Sequence, residues 1–376
     1  MNTLMPGTSE SNGSSRGLCQ PARNAQNLRG ARTSFAVLAS IFCSFSVLSF
    51  ASAQLTPDPA DRTYFGVHRP IPMTVEVPEG KTGEVRIDLF EPGKDQPIST
   101  APAAKGQVDL AKLFPVLWSG PLPRLRFAQL VVGGEQIGAP VILQPMVSEQ
   151  RAKLVEPKTR QLWFKDPNTN AENFPAKSAT IEWVTEPPAY SGIRAYVDKN
   201  IVFDTSLGEI EFRLRPEEAP NTCWNFRELV KGGFYTDIIF HRIVPTLPSG
   251  HPFVVQVGDP TGTGDGGPGF SIDLENTGLK HDFGILSMAR SDDPDTNGSQ
   301  IFIALSREGT QRLDGRYTAF GETVRGTDTI TALSKVPVKD QRPNDPPVLK
   351  SAKLVDAPPY SSRPGRVQRP VEKPSR

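Results

Sequence analysis

The sequence predicts a mainly β chain with two folded domains, and three observations carry that prediction. The chain has 376 residues, more than one domain of about 150 residues accommodates. Its 37 prolines are about twice the usual share of ~5%, which disfavours long uninterrupted helices. From about Asp61 to Met146 short runs alternate apolar and polar residues, the period of half-buried antiparallel strands. With 37% hydrophobic and 22% charged residues, the composition is that of a soluble globular chain and excludes wholesale disorder.

Taken in order, the first 53 residues read as an export signal with a long polar leader. Arg16, Arg23, Arg29 and Arg32 precede an apolar run from Phe35 to Phe50, and Ala51-Ser52-Ala53 supplies a small-x-small cleavage pattern. The mature chain is expected to begin at Gln54, in the periplasm or cell envelope. The run spans 16 residues and includes four serines, short of the ~17 needed to cross a bilayer. An uncleaved anchor over 35–50 is the alternative. Cleavage removes Cys19 and Cys43 and leaves Cys223, so no internal disulfide is expected.

Residues 54–192 are expected to form a small β-sandwich-like domain. Its strands are read at Met73–Val77, Val85–Leu89, Leu125–Phe127 and Leu130–Val132, with Gly133-Gly134 turning the chain into Ile137 and Val141–Leu143. His68 is solitary, and no cluster of His, Cys or carboxylates gives this domain a function. Between 147 and 192, Trp163-Phe164 and Ile181–Val184 either close the sandwich or pack between domains, and Pro187-Pro188 marks a boundary. Residues 193–356 form the second domain. Ile201–Asp204 and Gly208–Leu214 read as a strand pair, and Pro220 starts a helix to Val230 that Gly232-Gly233 stops. Cys223 lies on that helix in an apolar setting, the position of an inert buried thiol, since reactive thiols need cationic, partly exposed surroundings. The Pro- and Arg-rich stretch 357–376 is expected to be a disordered tail.

Charge and motif context exclude several function classes. Outside the leader and tail, residues 54–356 carry 33 basic against 39 acidic residues, a poor balance for nucleic acid. The tail's surplus of four positive charges allows a weak contact with an anionic envelope surface. Gly262-Thr-Gly264-Asp-Gly266-Gly267 satisfies GxGxxG, but Pro268-Gly269 follows where a dinucleotide site requires a helix. His68, His241, His251 and His281 have no ligand-like spacing, so no metal is expected. No Gly-x-Ser-x-Gly elbow supports a hydrolytic triad.

Three dense segments remain. They are Phe240-His241-Arg242-Ile243-Val244 with Phe253-Val254-Val255-Gln256-Val257; Gly284–Arg290 with Asn297–Ile303; and Leu313-Asp314-Gly315-Arg316-Tyr317 with Phe320-Gly321. Together they resemble the cyclophilin-type peptidyl-prolyl isomerases over about Tyr196–Val355. The resemblance implies a closed β-barrel with flanking helices, no cofactor, and isomerisation of X-Pro bonds in proline-containing polypeptides. It implies that Arg242 is catalytic, with Gln256 and Gln300 orienting it and the substrate backbone. Phe253, Val254, Phe302, Leu313 and Tyr317 would wall the proline pocket, and Ala289, Arg290 and Ser291 would pair with the bound peptide. Val254 stands where methionine is usual, Tyr317 where many members have histidine, and Arg290 where asparagine is common. Arg312 occupies the place of the tryptophan associated with tight cyclosporin binding, so weak inhibition is expected, with Arg312 outside the pocket walls.

The residue chemistry agrees with that function. Rotation about X-Pro loses amide resonance across a barrier of about 18–20 kcal/mol. A catalyst needs no nucleophile, only an apolar slot for the ring and a fixed donor that acts on the twisted state. A guanidinium supplies that donor because it is permanently charged and rigid. Taken singly, an arginine on a strand is ordinarily a surface charge, strand aromatics are ordinarily core, and glutamines satisfy backbone groups. The alternative function is a proline-peptide-binding chaperone or scaffold that holds without catalysis. Residues 246–252 separate Arg242 from Phe253 and are read either as a stiff lip at the groove mouth or as a neutral surface loop.

Overall fold

The protein is described by a computed structural model covering residues 55–119, 124–155 and 180–370. The leader and Trp163-Phe164 lie outside the described residues. No helix among the described residues is long and apolar enough to cross a membrane.

The N-terminal part is two stacked sheets. Six antiparallel strands run in the order Tyr64–Gly66, Thr180–Val197, Glu135–Val155, Arg126–Val132, Val85–Phe90, Ser99–Pro102. A three-stranded sheet of Leu55–Pro57, Pro72–Val75 and Gly106–Asp109 covers one face. Leu55, Met73 and Val75 from the small sheet share a core with Ile87, Leu89, Leu130, Val132, Val141 and Leu143 from the large one. The two-residue turn at Gly133 (φ 59°) and Gly134 (φ 88°) needs positive φ at both positions, which glycine supplies without strain.

The central strand Arg126–Val132 does not alternate in exposure, because Phe127 through Val132 are all buried. The second face of the large sheet carries Phe90, Phe127, Ile142 and Tyr196, which Tyr360 covers. Burial on both faces removes the polar-out signature that a half-exposed strand would show.

Thr180–Val197 corrects the expected domain boundary. The strand passes Pro187-Pro188 and residue 192 without a break, and Ile193 to Val197 still pair with Glu135–Val155. The change of sheet falls at Asp198, after which Lys199–Thr205 enters the C-terminal sheet.

That sheet has nine antiparallel strands in the order Ile238–Ile239, Val348–Asp356, Lys199–Thr205, Gly208–Leu214, Ala319–Arg325, Ile285–Met288, Ile301–Ala304, Val254–Val257, Arg242–Val244. Its two edge strands are joined in the chain by Phe240-His241 alone. The sheet therefore curls into a barrel whose last seam is covalent. Ile201, Phe203, Ile210, Phe212, Ile243, Val255, Val257, Ile301 and Ile303 fill the interior at full burial. Helix Pro220–Lys231 adds Cys223, Phe226 and Val230 to that core, and helix Thr327–Ser334 adds Ile330 and Leu333. Proline opens the first helix at N1, where its missing N–H costs nothing. The Glu275 carboxylate accepts from the backbone N–H of Asn221 (3.0 Å) and Thr222 (2.7 Å). Cys223 is buried against the Phe320 carbonyl at 3.2 Å, and burial pushes its thiol well above the ordinary range, as an inert thiol requires.

Residues 357–370 overturn the expectation of a disordered tail; 371–376 lie outside the described residues. Tyr360 stacks on Phe90 (centroids 4.4 Å, interplanar 24°) and leans on Phe127 (5.2 Å). Its hydroxyl donates to the Glu91 carbonyl at 2.7 Å, and its N–H donates to Oε1 of Gln129 at 2.9 Å. Arg363 pairs with buried Asp198 and lies 4.3 Å over the Phe127 ring. Arg366 pairs with Asp282 at 2.9 Å, and Val367 N–H donates to the Thr323 carbonyl at 2.9 Å. Two of the tail's basic charges are thus neutralised internally, which weakens the expectation of an anionic surface contact. Composition alone cannot show this, because the partners that order the segment are remote in the chain, Asp282 lying 84 residues from Arg366.

A second junction between the two sheets centres on Trp224. Arg194 lies 4.7 Å over its ring and Arg227 lies 5.1 Å over it, while Tyr196 packs at 4.9 Å. Helix Pro220–Lys231 and strand Thr180–Val197 are interlocked by these stacks.

Candidate functional site

Strand register assembles the site. Arg242 is paired with Gln256, and Gln256 with Phe302. Directly opposed residues share a face, so these three form one row across the outside of the barrel. Val254, two residues from Gln256, joins the same face, while Ile243, Val255 and Ile303 alternate into the interior core. The same apolar runs therefore supply two clusters. Val244, Phe253, Val254, Phe302 and Leu313 form the outer one, with Ala289 and Tyr317 packed against it.

A cavity of about 590 Å³ opens over that cluster. It is lined by Arg242, Phe253, Val254, Gln256, Ala289, Arg290, Ser291, Phe302, Leu313 and Tyr317, so ten of the residues predicted from sequence meet at one place. Phe302 and Tyr317 meet edge to face (5.9 Å, 79°). Gln300 does not line this cavity. It lines an adjoining one of about 550 Å³ beside the Gly-rich loop, and Gln256, Ala289, Arg290 and Ser291 are shared by both.

The polar groups form a directed chain. Arg242 Nη1 donates to Gln256 Oε1 (3.1 Å), and Gln256 Nε2 donates to Gln300 Oε1 (2.8 Å). Gln300 Nε2 then donates to the carbonyls of Gly264 (2.7 Å) and Gly266 (2.9 Å). A guanidinium only donates and a carbonyl only accepts, so both amides have a single satisfying orientation. The Gly-rich stretch is an anchor for this chain. Its backbone wraps the Asp259 carboxylate, which accepts from Thr261 N–H at 2.7 Å and Gly264 N–H at 2.5 Å. Burial would raise that carboxyl, but the hydrogen bonds from Thr261, Gly264 and Gly266 outweigh it and hold it well below its ordinary value. A side chain at Gly266 would place its Cβ 2.0 Å from Asp259 Oδ1, which is why a small residue stands there.

Gln341 was not foreseen. Its Oε1 accepts from Arg242 Nε at 2.8 Å, and its carbonyl accepts from Ile243 N–H at 2.8 Å. It sits on the tight turn between Val338–Lys339 and Arg342–Pro343 with φ 67°. Nothing in its local sequence marks it, because its contact with Arg242 spans 99 residues. Arg242 is thus held on two sides, by Gln256 and Gln341. Burial lowers its proton affinity, yet a guanidinium so placed stays charged.

Behind Phe302 lies a buried polar set. The His281 ring stacks on Phe302 (5.8 Å, 18°) and places Nδ1 3.0 Å from Asp314 Oδ1 and Nε2 2.9 Å from Ser287 Oγ. Arg307 Nη2 donates to Asp314 Oδ2 at 2.7 Å. His281 and Asp314 were not singled out as positioning groups, although both stand inside or beside the segments that were.

One expectation needs correction. Arg312 is in the cavity wall, with its guanidinium 5.0 Å over the Phe253 ring; cation–π attraction draws it inward. Residues 246–252 do not line the cavity. Leu247 N–H donates to the His251 carbonyl (2.9 Å), Ser306 Oγ donates to the Pro252 carbonyl (2.7 Å), and Leu247 packs on the outer cluster. The loop closes on itself and on the helical turn Arg307–Thr310, an arrangement compatible with either a lip beside the groove or a surface connector. Asp292 and Arg316 also line the cavity and were missed. Among the described residues no group of three or more His, Cys, Asp or Glu side chains could hold a metal.

Residues 200–354 match the family described as cyclophilin-type peptidyl-prolyl cis-trans isomerase/CLD. A peptidyl-prolyl cis-trans isomerase-like 1 of Aspergillus fumigatus is 44% identical over 163 residues, covering 42% of this chain and 96% of that relative. A peptidyl-prolyl cis-trans isomerase of Schizosaccharomyces pombe is 42% identical over 166 residues, covering 42% of this chain and 97% of its own length. A cyclophilin-type isomerase of Cryptosporidium parvum, crystallised in the presence of the dipeptide Ala-Pro, is 36% identical, with coverage of 42% of this chain and 98% of that one and a TM-score of 0.38.

Proposed function

The chain belongs to the cyclophilin-type peptidyl-prolyl cis-trans isomerases, and from that premise we propose that Arg242 is its catalytic group and the outer apolar cluster its proline slot. The observation that carries this reading is the placement of Arg242. Its fork is held by Gln256 and Gln341 at the edge of Phe253, Val254, Phe302 and Leu313.

The apolar walls take up the pyrrolidine ring by burying it. Isomerisation then needs the amide to twist, which localises a lone pair on the prolyl nitrogen as resonance is lost. A guanidinium fixed beforehand stabilises that lone pair or the turning carbonyl in the twisted state more than in either planar one, and this difference is what lowers the barrier. Gln256 and Gln300 fix the donor's direction, so little reorganisation is needed at the moment of reaction. Ala289, Arg290 and Ser291 line both adjoining cavities, as residues pairing with an extended peptide would.

The substrates we propose are exported polypeptides whose folding waits on X-Pro bonds, a reading supported by the leader pattern at 1–53 alone. A protease-coupled assay on a short X-Pro peptide, run on the full chain and on Arg242→Ala, tests the catalytic assignment. Undiminished turnover in the variant would remove Arg242 from the mechanism. N-terminal sequencing of the mature chain after cell fractionation tests the export reading.

A further inference from the structure

The cavity is strongly basic, on a chain whose residues 54–356 are mildly acidic. Four guanidiniums line it, those of Arg242, Arg290, Arg312 and Arg316, against one carboxylate, Asp292. Elsewhere arginines find acids: Arg213 and Arg215 meet Glu322, Arg307 meets Asp314, and Arg363 meets Asp198. Among the described residues none of the four cavity arginines, nor Asp292, makes an ion pair within the 4.0 Å that defines one.

Their hydrogen bonds leave the charge uncompensated. Arg242 uses two amide oxygens. Arg290 donates to the carbonyls of Arg316 (3.1 and 3.0 Å), Ser291 (2.6 Å) and Asp292 (3.2 Å), and lies 4.7 Å over the Tyr317 ring. Arg312 is positioned by Phe253, and its charge is near enough to oppose that of Arg242. Arg312 and Arg316 are exposed at the rim. Four like charges gathered against a single carboxylate raise the local potential, and an anion entering the groove relieves it.

We propose that this groove selects proline segments in which a residue flanking the proline carries a carboxylate, with Arg312 and Arg316 as the specificity determinants. The proposal rests on the isomerase reading above. Rim charges in water give a modest preference that salt erodes, because the Debye length is about 30 Å at 0.01 M and about 3 Å at 1 M.

The test uses the full chain and peptides with Glu, Ala or Lys immediately before or after the proline. Catalysed cis-trans exchange is read by NMR and affinity by fluorescence anisotropy of the labelled peptides. The expected result is a Glu-over-Ala preference of about fivefold, or ~1 kcal/mol, in at least one position, with Lys weakest and the preference fading as salt rises. Arg312→Glu with Arg316→Glu should invert the order in both readouts. Glu, Ala and Lys peptides within twofold of one another in affinity and exchange would overturn the proposal while leaving the isomerase intact. Absence of catalysed exchange for every peptide would count against the isomerase reading instead, and the order of affinities would still decide the preference.

Discussion

Arg242 and Gln256 are directly opposed on neighbouring strands, and Arg242 Nη1 donates to Gln256 Oε1 at 3.1 Å. The direction of the Arg242 guanidinium is therefore set by the sheet itself. Its second support is Gln341 Oε1 at 2.8 Å from Nε, so two amide oxygens hold an arginine that lines the cavity.

Arg242→Ala should lower kcat/KM by about a hundredfold or more, the size found when one fixed transition-state donor is removed. Arg242 is only half-buried, so cooperative thermal unfolding by circular dichroism should persist. A variant that loses activity only in proportion to lost folded protein would make the arginine structural.

Gln300→Ala removes the link between Gln256 and the Gly264 and Gly266 carbonyls without touching the main cavity wall. The expected effect is a fall in kcat of about tenfold with KM changed little, since orientation of a donor acts at the transition state. A rise in KM with kcat retained would assign Gln300 to substrate binding.

Tyr360→Ala should destabilise the protein by about 3 kcal/mol or more, the range for deleting a buried aromatic. The ring is stacked on Phe90 and Phe127, and its loss exposes the second face of the N-terminal sheet. Isomerase activity of the folded fraction should remain at the wild-type level, because Tyr360 does not line the cavity that holds Arg242. Urea unfolding with an unchanged midpoint would show the segment to be passively laid down.

Acid should weaken the fold in two stages. Burial lowers the His281 pKa below its ordinary 6.5 despite Asp314, and burial likewise lowers that of His241. Where the folded value is depressed, the unfolded chain binds the proton first, so stability falls as pH drops below about 6.5 toward the folded values. Asp314 follows. Burial opposes its ionisation, but hydrogen bonds from Arg307 and His281 hold it at about 2, so its contribution is present above about pH 3.9 and is lost as pH falls toward 2. Urea midpoints at pH 5 and 7 should differ in the wild type and converge in His241→Gln/His281→Gln. An equal pH dependence in the double variant would exclude the histidines as its source.

Much of the barrel was legible because its information is local or periodic. The hairpin Lys199–Thr205 with Gly208–Leu214 and the helix Pro220–Lys231 follow from alternation, a proline start and a glycine stop. The site residues could be named because the motifs that resemble the cyclophilin family lie in short contiguous segments. The cavity then gathers most of them, and the Gly-rich loop, rejected as a nucleotide site on local grounds, anchors the amide chain.

What only the tertiary structure decided depends on partners remote in sequence. Gln341 reads as a turn residue until the Val338–Lys339 and Arg342–Pro343 hairpin carries it to Arg242. Arg312 reads as a solvated charge until Phe253 offers a ring face. Residues 357–370 have the composition of a loose tail, and they are ordered because Phe90, Phe127, Asp198 and Asp282 lie where Tyr360, Arg363 and Arg366 meet them. Composition and period determine which segments can be buried; which of them are buried depends on surfaces that exist only once the sheets have formed.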